Sequence, residues 1–523
     1  MPRPCHIFAF LFVLIILNPV PQTEAWTLQD HFRSQKDYGN FTVDVSGAQV
    51  EIVNTPEAFE GYNLFVLLKT DKVTRDRDFV MLIIGGNGEV ILEEVLPENK
   101  WIGDCPAEFL DPTSILVRYS NTTALYNLTD GSATLLPFEG HHEFEYNPIN
   151  DTFFTFHYDT EKIGEENYLY DLLLEFDREG NIVWSFNVST LMSLDQECPY
   201  QDYQWGHRDI SHANTIYYDV EDDSIYLMLR NANTFWKIDH STGEVIWGLG
   251  EYGNFTLYNR WKQSTNNLFY HAHAVERIDE NNFILFDNDF HNQTNEWSRQ
   301  SRILEIELNE STMTANTSWV WTADSEYSSY LWGDADKLPN GNRLGVFGIV
   351  VRPDPYYGGR IVEVNEEHDI VWELSFVNDE SYWYGIYRNE RFQMQPYLRL
   401  VDSGNEYPQG DVSLEWQTGF NYRPKRDMHG TFELYLDEVL VDEGEVIFDR
   451  YWRPTTLSYT FQNLSPDSYN ATLVVWDGYG NSAISSKMIH VTSEGNSAFF
   501  VFILSIIGII ALIVLWKWHG FRR

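Results

Sequence analysis

Residues 234–250 read TFWKIDHSTGEVIWGLG. An apolar and aromatic run leads into the polar turn DHSTG, and a second apolar run carries Trp247. This is the composition of two strands joined by an Asp/Gly turn. DLLLEFDREGNIVWSF (171–186) and GGRIVEVNEEHDIVWELSF (358–376) repeat it, with Trp184 and Trp372 in place of Trp247. Looser copies are VMLIIGGNGEVILEEV (80–95), ALYNLTDGSATLLPF (124–138) and ILEIELNESTMTANTSWVW (303–321). Six strand pairs recurring every roughly 40–70 residues predict the blades of a β-propeller. The three Trp residues are read as blade packing.

A second repeat is interleaved with the first. Its copies are CPAEFLDPTSILVRY (105–119), HHEFEYNPINDTFFTF (141–156), SHANTIYYDVEDDSIYLML (211–229), AHAVERIDENNFILFD (272–287) and GDADKLPNGNRLGVFG (333–348). Each alternates apolar and polar residues around an Asn, Asp or Pro turn, the pattern of a hairpin. As inner hairpins of successive blades, they place Ala107, His142, His212, His273 and Asp334 at equivalent positions around one central opening. Strand alternation predicts His212 and Asn214 on one face. The returning strand predicts Arg230 back beside His212.

The remainder frames this unit. Net charge is −43 and aromatics make up 16% of the 523 residues. The aromatic content argues against disorder, and the charge disfavours nucleic acid or an anionic membrane face as partner. Residues 1–25 read as a secretory signal peptide, with Arg3 and His6 before an apolar run and TEA at its end. Residues 498–516 carry no charge and read as a transmembrane helix, followed by a cytoplasmic tail at 517–523 with Lys517, Arg522 and Arg523. The body is thus expected outside the cytoplasm, at the cell membrane, as a single-pass protein. Eleven N-x-S/T sequons, among them Asn40, Asn121, Asn187, Asn254 and Asn470, fit a glycoprotein. Cys105 and Cys198 stay after signal removal, and an oxidising compartment permits a bridge between them. Residues 26–75 read as a lead-in segment, 76–395 as the propeller, and 410–493 as an immunoglobulin- or fibronectin-like β-sandwich stalk. The expected class is therefore all-β: a six-bladed propeller, a sandwich and a terminal membrane helix. A monomer is expected, because the ends of a propeller meet without a partner.

The motif H-x-N (212–214), fifteen further residues, Arg230, and then K-I-D-x-x-T-G-x-x-x-W-x-L-G (237–250) resembles the bacterial and archaeal arylsulfotransferases. GYNLF (61–65), HHEF (141–144), YHAH (270–273), FDND (286–289), LPNGN (338–342) and YRNERF (387–392) are similar to other segments of that family, over roughly residues 55–395. The resemblance implies a six-bladed propeller and sulfuryl transfer that does not use PAPS. A phenolic sulfate ester gives its sulfuryl group to a channel histidine, and a second phenol takes it from the sulfohistidine. By motif His273 is the nucleophile, and His212, Asn214 and Arg230 bind the sulfuryl group. His142 is a further channel histidine, with His141 the alternative counterpart. In place of the family's Gln before the nucleophile stands Ala272, and His271 lies two positions before His273. Both histidines are candidates, and the repeat register favours His273. Asp334 is placed at the opening by the register, and His207 with Arg208 lies near its mouth.

The residue types suit the chemistry. A neutral imidazole is a good nucleophile toward sulfur and a good leaving group. Arginine, histidine and asparagine donate to an anionic group. Histidine takes a phenol's proton near neutral pH. No cofactor or metal is required. Asp287 and Asp289 are turn residues, with a calcium site as the alternative. Two other functions compete: a non-catalytic surface propeller that binds partners, and a quinoprotein, suggested by DHSTGEVIW. Six units instead of eight, and no vicinal cysteine pair, argue against the quinoprotein.

Overall fold

The computed structural model describes residues 38–493 apart from 98–103, 120–121, 197–202, 290–299, 325–326, 351–357, 378–379 and 402–403. The stretches read as a signal peptide and a membrane span lie outside the described residues. Among the described residues no helix is long and apolar enough to cross a membrane. The described chain is all-β, with only short 3-10 turns such as Arg230–Ala232.

Six sheets follow one another up to residue 392. In the second, Ala107–Asp111 pairs with Ser114–Tyr119, then Thr122–Asn127 and Ala133–Glu139. The third starts at His141–Asn147, the fourth at Ala213–Asp219, the fifth at His273–Arg277 and the sixth at Asp334–Lys337, each continuing outward in chain order. The first sheet is closed by the chain's later part. Tyr382–Phe392 pairs antiparallel with Tyr62–Asp71, which pairs with Arg77–Gly85 and so with Val90–Leu96. All eleven segments of the two repeats are antiparallel pairs in these sheets. The described part of the segment read as a lead-in is largely strand. Gly39–Val45 and Ala48–Asn54 extend the sixth sheet through Ile370–Phe376, and Tyr62–Asp71 belongs to the first.

The turns explain the pairs. In DHSTG the Asp239 carboxylate accepts the Thr242 N–H at 2.8 Å, and Gly243 takes φ +71°, which a side chain resists. Asp177 accepts the Asn181 N–H in the same way. Apolar clusters fill the seams between successive sheets. One joins Phe154, Phe156 and Leu173 to Ile216 and Leu227; another joins Leu344, Ile361 and Trp372 to Phe65 and Leu82. Trp372 is fully buried, and its indole donates to the Gly86 carbonyl at 2.8 Å. A buried indole of this kind contributes about 3–5 kcal/mol against truncation.

Beyond residue 396 lie two more sheets. One holds Tyr397–Leu400, Gly410–Gly419 and Thr455–Leu464; the other runs from Glu406–Pro408 through Ser482–Thr492, Asp467–Trp476 and Met428–Leu436 to Val439–Phe448. Their apolar residues share one cluster with the first two sheets. Cys105 is a buried free thiol, raised to about 12 chiefly by burial, so the permitted bridge is not formed by it; Cys198 lies outside the described residues.

His240, inside the defining stretch, bridges two sheets. Its Nε2 meets Glu175 at 2.8 Å and its Nδ1 meets Asp223 at 2.7 Å. Burial alone would lower its pKa, but the two carboxylates raise it above the ordinary imidazole value. A raised folded pKa gives stability that is present in full below the unfolded value of about 6.5 and lost as pH rises through the folded value. The thermal midpoint of the native chain should therefore fall relative to that of His240→Gln as pH is raised across that window. A difference that stays constant would contradict the linkage.

Candidate active site

The six sheets bring the starts of their first strands together. The first strand of the third sheet contacts that of the fourth, and contacts continue to the fifth, the sixth, the closing strand and the second. The hairpin 211–230 closes as the sequence predicts. The Arg230 N–H donates to the His212 carbonyl at 3.2 Å, and the Asn231 N–H donates to Ser211 O at 3.3 Å. Arg230 is 2% exposed, and its Nη1 donates to Asn231 Oδ1 at 3.0 Å.

Alternation does not hold through 212–214. A β-bulge interrupts the ladder between Ala213 and Thr215, and His212 takes φ +46°. The third and fifth sheets carry bulges in the same place, between His141 and Phe144 and between His273 and Glu276. Bulges re-aim side chains at such rims. One N–H of the Asn214 amide is thereby committed to Ala272 O at 2.9 Å, tying the His212 strand to the residue before His273.

His273 opens its strand and is 2% exposed. Its Nδ1 lies 2.7 Å from Asn288 Oδ1. The Asn288 amide nitrogen donates to Ser329 O at 2.9 Å and to Trp332 O at 2.8 Å. That fixes which way the amide faces, so its oxygen accepts from His273, and the proton is assigned to Nδ1. Nε2 is then the lone-pair nitrogen. Burial holds the His273 pKa well below the ordinary value, and the charges of Arg388 and Arg230 lower it further against the Asn288 hydrogen bond. The ring is neutral at neutral pH.

The other histidines form a line. His141 Nδ1 is 2.8 Å from His142 Nδ1, and His142 Nε2 is 3.2 Å from His212 Nε2. Carboxylates stand at both ends. Asp171 lies 3.3 Å from His141 Nε2, and Asp209 accepts from His212 Nδ1. Asp171 is itself held by Ser211 Oγ and the Ala213 N–H, each at 2.6 Å. Asp104 adds a contact at 3.5 Å to His142 Nε2. Burial dominates the lowered pKa of both His142 and His212; Arg230 lowers His212 further, and Asp104 opposes at His142.

The five aligned hairpins, which include Asp334, left a sixth position open, and the closing strand fills it with Arg388. Arg388, on the closing strand, lies 4.0 Å from Asp334 and makes a 2.7 Å ion pair with Glu143. It also donates to Gly333 O and, at 3.2 Å, to Asn214 O. YRNERF was the available signal for it, and FDND for Asn288. Asp171 and Asp209 stand on other strands and had none.

The remaining candidates stand apart. His271 is fully buried before the strand begins, with its N–H donating to Asn233 Oδ1 at 2.9 Å. His207 is half-buried on the strand His207–Asp209, which lies between Glu166–Phe176 and Tyr203–Gln204, its Nδ1 3.2 Å from Trp205 O. Asp287 does not stand as an open calcium ligand: it accepts from the Tyr270 and Asp289 N–H groups and pairs with Arg302. Among the described residues no group of three or more His, Cys, Asp or Glu is placed to hold a metal ion.

No curated protein matches the chain. Among solved structures, a luciferin-regenerating enzyme is 9% identical, with 67% of this chain and 99% of that one covered and a TM-score of 0.31. The dihydro-heme d1 dehydrogenase NirN is 11% identical, with 82% and 74% covered and a TM-score of 0.28. Neither score is high enough to inform fold or function. The family model described as Arylsulfotransferase (ASST) matches residues 122–388, a span that takes in the histidine line, Arg230, His273 and Arg388, and the chain belongs to that family.

Proposed function

We propose that the six sheets are the blades of one propeller and that its axis carries sulfuryl transfer from a phenolic sulfate ester to a phenolic acceptor. The observation that carries this reading is the Asn288–His273 pair. It fixes a neutral imidazole with its lone pair on Nε2, in a site whose cations suit an anionic donor. Family membership supports the reaction class.

In the first half-reaction His273 Nε2 attacks sulfur, the N–S bond forms, and the ester S–O bond breaks. The leaving group departs as a phenolate carrying the bond's electron pair. In the second, the acceptor phenol attacks the sulfohistidine, the N–S bond breaks, and the acceptor's proton passes to a base. Arg230 and the second N–H of Asn214 are the donors to the sulfuryl oxygens, whose charge persists throughout; the His212 Nδ1 proton is taken up by Asp209, so His212 acts through the line of histidines. Arg388 adds positive charge beside His273. The line His212–His142–His141, ending on Asp171, supplies the base and a path for the proton. His271, His207 and Asp334 are assigned no direct step. Residues 410–493 form the sandwich stalk, and the span at 498–516 holds a monomer at the membrane with its body outside.

The test is release of nitrophenol from 4-nitrophenyl sulfate by the full chain, with phenol present and PAPS absent. Acceptor-dependent release is expected. No release across a panel of aryl sulfates would leave a non-catalytic binding propeller as the better reading. The pH profile gives a second check. His273 must be neutral to attack, and its pKa is lowered, so the acid limb of kcat/KM is expected below the ordinary imidazole value of about 6.5. An acid limb at or above that value would contradict the assignment.

A further inference from the structure

The end of the inner strands away from the histidines is acidic, and something fills it. One to four residues past the strand starts, and on the closing strand two residues past Arg388, stand Glu108, Glu145, Tyr217, Glu276, Asp336 and Glu390, one from each sheet. Five are carboxylates. Burial and mutual repulsion raise Asp336 and Glu390 well above the ordinary range and bring Glu145 to about 8.

Two cations from the loop between the sheets of the C-terminal module reach into this ring. Lys425 Nζ lies 3.0 Å from Glu145 and 3.3 Å from Glu108. Arg423 pairs with Glu276, donates to Arg277 O at 2.6 Å, and lies 5.4 Å above the Tyr217 ring. The module is fastened nearby. Tyr451 donates to Asp219 at 3.1 Å, and Arg453 lies 3.3 Å from Glu280. The space left between the six inner strands and Lys425 is a cavity of about 30 Å³. A cavity needs roughly 10–15 Å³ to hold one water, so this one holds a water or two and no aryl group.

We propose that Arg423 and Lys425 are a resident plug that closes the axial opening on the side away from the histidines and neutralises its carboxylate ring, leaving the reaction site one entrance. The plug rests on geometry alone; its consequence for turnover rests on the sulfuryl-transfer reading. Without the plug, five carboxylates would face solvent at one end of a passage whose other end must attract a sulfate ester. With it, the field of the passage favours anion entry at the Arg230 side only, and bulk water reaches the sulfohistidine from that side alone.

The test places Cys at 274 (Ala274→Cys), on the cavity wall, in the full chain. A cationic methanethiosulfonate is applied, and labelling is read on the peptide that carries residue 274. With Lys425 intact, labelling is expected to be slow. Lys425→Ala should speed it about tenfold or more, since an open acidic mouth concentrates the cation, while Lys425→Arg should stay near the native rate. The pair Lys425→Gln with Glu145→Gln restores the charge balance if the single variant does not fold, and it too should label fast. Labelling unchanged in the folded variants overturns the plug. In the same proteins, acceptor-independent release of nitrophenol should rise relative to transfer. If no protein turns over an aryl sulfate, the reading of the reaction falls and the labelling still decides the plug.

Discussion

His273→Ala is expected to lower acceptor-dependent turnover by on the order of 10⁴-fold or more, the scale reached when a covalent nucleophile is removed. The side chain sits at the start of its strand, held by Asn288 and surrounded by buried polar groups. The variant should keep the sheet, because the ladder partner of residue 273 is the backbone of Phe286. Asn288→Ala should cost less, roughly 10–100-fold, as when a group that orients a reacting histidine is lost. It frees the ring to take either tautomer. Steady-state nitrophenol release with phenol as acceptor measures both. Turnover near the native level in His273→Ala would move the nucleophile elsewhere, and His271 would be examined next.

Arg230→Met is expected to lower kcat by about 10²–10³-fold, the range for loss of one donor to developing or transferred charge. It carries a second signature that a damaged fold would not give. Arg230 is one of the charges that lower the His273 pKa. Removing a positive neighbour raises that pKa, so the acid limb of kcat/KM should move toward higher pH. Arg230→Lys should restore most of the limb's position and only part of kcat, because a single ammonium does not reproduce the guanidinium fork. An acid limb unmoved in Arg230→Met would separate this residue from His273.

Much of this was legible in sequence for a physical reason. Strand alternation and Asp/Gly turns set both repeats, and those segments form the expected pairs. The hairpin 211–230 brought Arg230 back to His212 because its strands are matched in length. The losses have equally local causes. The bulge at 213–215 re-aims Asn214, and no alternation rule foresees a bulge. Arg388 was missed because its strand closes the first sheet across more than three hundred residues, with Tyr62 opposite Phe392. Asp171, Asp209 and Asn288 reach the histidines from neighbouring strands and loops. The lead-in was under-read because Tyr62–Asp71 carries an uninterrupted apolar run in place of alternation, the mark of a strand buried on both faces.

The most direct test of the central claim is capture of the intermediate. The full chain is mixed with 4-nitrophenyl sulfate without acceptor, quenched in alkali within a turnover, digested, and mapped by mass spectrometry. Sulfuryl transfer through His273 predicts a burst of nitrophenol close to one equivalent and a sulfated peptide with the modification on His273, both absent from His273→Ala. Turnover with acceptor but no burst and no modified histidine, persisting in His273→Ala, would contradict it.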